Sequence, residues 1–235
     1  MTNPIHMVQI AMDARRLARW TAECRLGDTD LGYACHAAMC DAYGDMRLKP
    51  FTVSENDGKV IILGYGTHNA DEMRRIRVET SRPSVDGLFL SEESKGMPAA
   101  WEGGRRYSFT LRVAPTRQGK TEAGKRREGD ALLFEPGGAD REQTYAKWLT
   151  ERFGDAAAIE TCSMQTFRLL TASRRFLNKE TGKRPVKPVT LPDATFRGVL
   201  RVKDPAAFKA LFESGVGRHK AFGFGALMLM PPRAA

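Results

Sequence analysis

Apolar and polar residues alternate weakly from Ile5 to Met12, the period-two pattern of a strand with one buried face. Asp13 follows and is placed to cap a short helix, Ala14 to Cys24. Gly27-Asp28 breaks that helix, and Thr29 or Asp30 caps the next, which runs to about Tyr43. Leu31, Ala34, Cys35, Ala38 and Met39 recur at helical spacing, so this stripe is predicted to pack inward, with His36 near its edge. Phe51 to Val53 and Lys59 to Gly64 read as strands joined by Asn56-Asp57-Gly58, a strong hairpin signal because such residues tolerate positive φ. A helix from Asn69 or Ala70 to about Val78, a short strand at Leu88 to Leu90 and a cleanly alternating strand at Tyr107 to Val113 complete the first half. The order is βαββαβ, that of a ferredoxin-like domain.

The second half repeats the theme more loosely. Between Gly104 and Glu128 stand eight Lys or Arg against two Glu, punctuated by Gly119 and Gly124, and this stretch reads as an exposed basic loop. Leu132 to Phe134 reads as a short strand, and Asp140 caps a helix through Phe153 with Tyr145, Trp148 and Leu149 inward. Cys162 to Thr171 and Thr195 to Lys203 are predicted strands, and Asp204-Pro205 opens the next helix with proline at its first position. A glycine-rich loop and an apolar strand, Ala226 to Met230, end the pattern. The fold expected is α+β, two ferredoxin-like βαββαβ domains in tandem, residues 1–116 and 117–235, divided near Pro115 to Gly119.

Composition changes the picture in one direction. The 235 residues are 42% hydrophobic, enough for a proper core, and 37 Lys and Arg against 28 acids leave a formal charge of +9. That surplus points to a polyanionic partner. No segment is long and apolar enough to span a bilayer, and Met1 to Ile10 lacks the pattern of a secretion signal, so a cytoplasmic protein without a membrane partner is expected. Cys24, Cys35, Cys40 and Cys162 lack the spacing of a zinc site and read as small buried thiols. No carboxylate cluster implies a metal ion, so neither metal nor cofactor is expected.

The basic residues gather in three places. Arg15 and Arg19, four apart, share a face of the first helix, which suits either solvation or RNA contact. Thr171 to Pro188 holds Arg174, Arg175, Lys179, Lys183, Arg184 and Lys187 against Glu180 alone, with Thr181-Gly182 as the tip of a protruding basic hairpin or, alternatively, a linker. The third place is the stretch Gly215-Val216-Gly217-Arg218-His219-Lys220-Ala221-Phe222-Gly223-Phe224-Gly225. Four glycines in eleven residues allow positive φ and close backbone approach, and backbone N–H groups left free there cradle phosphate oxygens. The plain alternative is a flexible turn into the last strand; the three adjacent basic residues favour an anion site. Nucleotide fingerprints do not fit, because those loops follow a strand and open a helix, whereas here a helix comes first.

These residues carry a resemblance. The loop through Ala226-Leu227 resembles the closing motif G-[IV]-G-x-x-K-[AS]-x-G-x-G-L-L of the CRISPR-associated RNA-processing endoribonucleases of the CasE type. Phe196-Arg197-Gly198-Val199-Leu200 followed by Asp204-Pro205 is similar to that family's strand into helix, Leu111 to Arg117 to its R-[LV]-x-[AV]-x-P-x-[KR] segment, and Tyr33-Ala34-Cys35-His36 to its Y-x-[ML]-H helix segment. The Arg-rich stretch from about Ala14 to Leu26 is an insertion relative to the usual pattern, a feature that would also suit a processing nuclease of another CRISPR type, such as type IV.

The resemblance implies tandem ferredoxin-like domains, binding of the repeat stem-loop of CRISPR precursor RNA, cleavage at the base of its 3′ side, and retention of the product within an effector complex. It places the catalytic base at His36. Metal-free RNA cleavage needs a base for the 2′-OH, an acid for the 5′-oxygen and cations for the phosphorane, and yields a 2′,3′-cyclic phosphate and a 5′-OH. Tyr33 shares the face of His36 and would orient substrate; Arg25 is near in sequence and would take part of the histidine's role; Arg218, with Lys220, would stabilise phosphate. His219 is either a second proton-transfer group or a surface residue, while His6 and His68 have structural readings. RNA contacts are expected from Arg15, Arg19, Arg112, Arg117, Lys120, Arg168, Arg174, Arg175, Lys183, Arg184, Gly215, Gly217, His219 and Lys220. The competing reading is a non-catalytic subunit that binds the crRNA stem-loop; a nucleotide-dependent transferase is weaker.

Overall fold

The computed structural model describes residues 4–24, 26, 30–120, 126–175 and 186–231. The chain divides into two compact units: 1–48, 52–96 and 169–191 form the first, and 49–51, 97–168 and 192–235 the second.

In the first unit β1 (His6–Asp13) is the central strand of an antiparallel sheet ordered β2–β3–β1–β4, with β2 Phe51–Asn56, β3 Lys59–Gly66 and β4 Phe89–Gly96. Helices α1 (Ala14–Glu23) and α2 (Leu31–Tyr43) lie between β1 and β2, and α3 (Ala70–Thr80) and the short α4 (Pro83–Asp86) between β3 and β4. This is the ferredoxin-like order. The turn joining β2 to β3 has Asp57 at φ 49° and Gly58 at φ 72°, as the hairpin signal required. Each helix starts where a side chain satisfies its first free N–H groups: Asp13 accepts from Arg16 N, Asp30 from Gly32 N, and Asn69 forms a reciprocal box with Glu72. Val8, Ile10 and Met12 of β1, Val60 and Ile62 of β3, and Ala34, Cys35, Ala38 and Met39 of α2 are buried. The α2 stripe therefore packs as its spacing predicted, and Leu31 is half-buried.

In the second unit β5 (Arg106–Val113) is central, in an antiparallel sheet ordered β10–β5–β9–β8. The others are β8 (Ala157–Arg175), β9 (Val186–Val202) and β10 (Leu227–Met230), with α5 (Arg141–Phe153) and α6 (Pro205–Ser214) as the two helices of a second ferredoxin-like unit. Asp140 and Asp204 cap these helices, as expected. Phe109, Leu111, Trp148, Phe153, Phe196, Phe208, Phe212 and Leu227 form its core.

Three expectations are corrected here. Tyr107 to Val113, read as closing the first domain, pairs with β9 (Phe109 opposite Gly198) and with β10 (Leu111 opposite Leu227), and falls within the second compact unit. The stretch 104–128 is not an exposed loop: it holds β5 and an inserted two-stranded hairpin, β6 (Thr116–Lys120) and β7 (Arg126–Asp130). Leu132 to Phe134 is a 3-10 turn with Leu133 and Phe134 exposed, the Phe134 ring lying over Gly119 and Gly129 of that hairpin. The basic tip at Thr181-Gly182, with Lys183 and Arg184, lies outside the described residues, as does Arg25.

Candidate functional site

In the first unit α2 carries Tyr33 and His36, both half-buried at the edge of the stripe. Their ring centroids are 6.4 Å apart, and His36 Nε2 lies 3.6 Å from Cys40 Sγ one turn on. The buried face of α2 holds the helix in place, while this edge is only half-buried. The helix is fastened at its end: Tyr43 OH donates to Glu92 Oε1 (3.0 Å), and Arg77 Nε donates to the same oxygen (2.6 Å), while Thr80 Oγ1 donates to Ala42 O (2.9 Å). Arg77 and Glu92 are both buried. Burial, then the neighbouring Glu92, pushes the Tyr43 hydroxyl far above its ordinary value, so it stays a donor. Arg15 and Arg19 are exposed on α1, while Arg16, next to them, donates to Gly87 O at 2.8 Å. The backbone of β8 ends at Arg174 and Arg175; their side chains, and that of Lys120 at the end of β6, lie outside the description.

The glycine loop of the second unit is a built structure rather than a loose turn. Positive φ recurs at Gly215 (75°), Gly217 (77°), His219 (59°), Gly223 (76°) and Gly225 (87°). Val216 N donates to Gly225 O (2.9 Å), closing the neck of the loop, and Gly225 N donates to Arg112 O (2.8 Å), tying it to β5. At Gly217 an added Cβ would stand 2.9 Å from the Trp148 ring, so the left-handed φ and the close approach both demand glycine. Val216, Phe222 and Phe224 are buried beneath, while Arg218 is exposed and His219 and Lys220 are half-buried. Among the described residues no hydrogen bond engages the backbone N–H groups of Gly217, Arg218, His219 or Lys220. Such free donors next to two cations suit an anion.

The charges around the loop are organised by two acids that sequence reading passed over. Glu128 Oε1 accepts from Thr116 Oγ1 (2.8 Å) and lies 2.9 Å from His219 Nε2 and 3.4 Å from Arg218 Nε. Burial pushes its carboxyl up, but Thr116, His219 and Arg218 together hold it below the usual range. Asp193 is buried and takes a two-pronged contact from Arg112 (2.8 Å on each oxygen) and a third from Arg168 Nε (2.7 Å). Burial again opposes and these arginines outweigh it, so Asp193 too lies below the usual range. The Arg112 guanidinium also covers the Phe224 ring at 4.5 Å. Arg112 is thus spent within the fold, bracing the loop from below, which the expectation of a direct RNA contact did not foresee. Arg117 is half-buried and gives Glu151 both contacts of one nitrogen (2.8 and 2.9 Å), whereas Arg168 remains largely exposed. Lys220 is held below its ordinary value by burial and then by Lys49. A lone acid in the apolar run Leu191-Pro192-Asp193-Ala194 was the available signal for Asp193; Glu128 was hidden among basic neighbours.

Acid should loosen this unit. A depressed carboxyl stabilises the fold fully above its unfolded value, about 4 for Asp and Glu, and that contribution is lost as pH falls through the lower folded value. Stability to urea is expected to hold between pH 7 and 5 and to fall steeply below about pH 4. In Asp193→Asn the protein should start less stable and show a shallower acid dependence, measured by urea unfolding at each pH.

Fold and site together define a tandem ferredoxin-like protein with a cationic glycine loop before its last strand. The chain belongs to the family described as CRISPR associated protein, whose sequence model matches residues 5–231. No curated protein matches it in sequence. Among solved structures it is similar to a CRISPR endoribonuclease Cse3 bound to a 19-nucleotide RNA, with 19% identity, a TM-score of 0.67, and 97% of this chain and 100% of that one covered. Thermus thermophilus Cse3 bound to an RNA representing a pre-cleavage complex matches at 18% identity and TM-score 0.64, over 97% and 100%. The CRISPR-associated protein Cas6e of Escherichia coli K-12 matches at 18% and 0.61, again over 97% and 100%. At these identities the likeness is one of fold. Among the described residues no helix is long and apolar enough to cross a membrane.

Proposed function

We propose that this chain is a metal-independent endoribonuclease that binds the repeat stem-loop of CRISPR precursor RNA, cleaves at the base of its 3′ side and keeps the product as a subunit of an effector complex. The observation that carries the reading is the glycine loop: with five residues at positive φ, it sets Arg218 and Lys220 beside four backbone N–H groups that no hydrogen bond engages among the described residues, in a chain of the CRISPR associated family. Similar folds named as RNA-bound endoribonucleases, and one at TM-score 0.58 named as part of a CRISPR RNA-guided surveillance complex, support it.

His36 takes the proton of the 2′-OH, whose oxygen attacks the adjacent phosphorus; the P–O5′ bond breaks and the 5′-oxygen takes a proton from water, giving a 2′,3′-cyclic phosphate and a 5′-OH. Tyr33 orients the nucleotide beside His36. Arg218 and Lys220 with the loop N–H groups hold phosphate. His219 serves as an anchor to Glu128 rather than as a proton carrier. Arg15, Arg19, Arg168, Arg174 and Arg175 add attraction along the RNA.

The test is incubation with a CRISPR repeat RNA in EDTA, with end analysis of the products. Cleavage to a 2′,3′-cyclic phosphate and a 5′-OH is expected. A stable, uncut complex would assign the chain to the non-catalytic, stem-loop-binding reading instead.

A further inference from the structure

The loop that should receive phosphate already holds an anion of the protein's own. Glu128 comes from β7 of the inserted hairpin, ninety-odd residues before the loop in sequence, and reaches it with one oxygen. That oxygen gathers a hydroxyl donor (Thr116, 2.8 Å), an imidazole (His219, 2.9 Å) and a guanidinium (Arg218, 3.4 Å). Three donors converging on one oxygen is the arrangement a phosphate oxygen receives. The Glu128 side chain is 26% exposed and that of Arg218 51%, so the pair sits at the surface, within reach of a ligand, and is not a sealed structural ion pair. Asp193 on the same unit differs: with a side chain only 6% exposed, it is buried beneath its arginines.

We propose that Glu128 acts as a built-in stand-in for RNA phosphate: it neutralises Arg218 in the free protein and is displaced from it when the RNA backbone binds. The inference rests on the reading of the glycine loop as an RNA site. Its consequence is selectivity. A single weak phosphate contact does not repay the loss of the Glu128 contact, while a backbone that also engages the other cations does, so the carboxylate lowers affinity for any short or poorly placed anion. A role as a mere anchor predicts the opposite sign, since an anchor removed leaves the loop looser and binding weaker.

Glu128→Gln separates the two. The amide keeps an oxygen able to accept from Thr116 and His219 but removes the charge. Filter binding of the repeat stem-loop RNA is expected to tighten about threefold to tenfold, and the slope of log affinity against log salt to steepen by about 0.7 to 0.9, the value of one more neutralised phosphate. In an Arg218→Gln background the same change should gain little, because the freed cation is gone. Unchanged or weakened binding by Glu128→Gln, with an unaltered salt slope, overturns the proposal. A second readout does not need RNA: inorganic pyrophosphate should raise the melting temperature of Glu128→Gln more than that of the wild type, and equal rises overturn the stand-in role. If the wild type binds no repeat RNA yet the pyrophosphate difference appears, the RNA reading has failed and the stand-in role survives.

Discussion

Replacing His36 by alanine is expected to slow single-turnover cleavage of repeat RNA by about a hundredfold to ten-thousandfold, the usual worth of a positioned proton-transfer group. Affinity for the RNA should stay within a few-fold. A neutral imidazole contributes little to phosphate attraction, and His36 lies on α2, which carries no Lys or Arg. Folding should be preserved, because the buried residues of α2 are Gly32, Ala34, Cys35, Ala38, Met39, Ala42 and Tyr43, not His36. Enzyme in excess is the right condition, since retained product would hide the chemical step under turnover. The rival account gives the chemistry to arginines and predicts near-normal rates for His36→Ala, with a large loss on replacing Arg25 or Arg218. An alanine variant at 36 that binds and cuts normally would move the site to those residues. Cys40, 3.6 Å from the imidazole, gives a useful control: Cys40→Ser should change the rate only modestly if the neighbour merely packs against the ring.

The second large effect is on stability, and it acts through the same helix. Glu92→Ala should cost the first unit about 3–5 kcal/mol, because it leaves the buried Arg77 guanidinium without its main partner. Glu92 is 3% exposed and Arg77 9%. The acid receives Arg77 Nε at 2.6 Å, Arg77 Nη2 at 3.3 Å and the Tyr43 hydroxyl at 3.0 Å. Asp86 also contacts Arg77, but from the half-exposed rim. Since Tyr43 is the last residue of α2, losing Glu92 also frees the end of the helix that carries His36. A fall in melting temperature with a matching loss of cleavage is therefore expected. The double variant Arg77→Leu with Glu92→Leu should recover much of the stability, because removing both charges leaves neither stranded. A Glu92→Ala protein that unfolds at the wild-type urea concentration would show that the cluster does not hold the helix.

Much of the fold was legible because its signals are local. The caps Asp13, Asp30, Asn69, Asp140 and Asp204 each satisfy N–H groups within three residues, so type and order of the helices follow from short stretches of sequence. The turn at Asp57-Gly58 needs only two residues at positive φ. Strand Tyr107 to Val113 was equally clear as a strand but was assigned to the wrong unit. Its alternation says which face is buried and nothing about its neighbours, which are β9, some ninety residues on, and β10 at the far end of the chain. The basic stretch after it concealed a hairpin, because a run rich in arginine, lysine and glycine reads as loop.

For the site the division is similar. The amino-acid sequence by itself determined that a loop of glycines and cations sits between α6 and the last strand, and that Tyr33 and His36 share an edge of a helix, since both depend on residues adjacent in the chain. Tertiary structure alone decided what those charges face. Arg112, an expected RNA contact, is turned into the fold by Asp193, eighty-one positions away; Arg218 and His219 meet Glu128, ninety positions and more away. A charge's role is set by its partners within a few ångströms, through burial and competing hydrogen bonds, and those partners come from chain segments whose spacing carries no periodic signal.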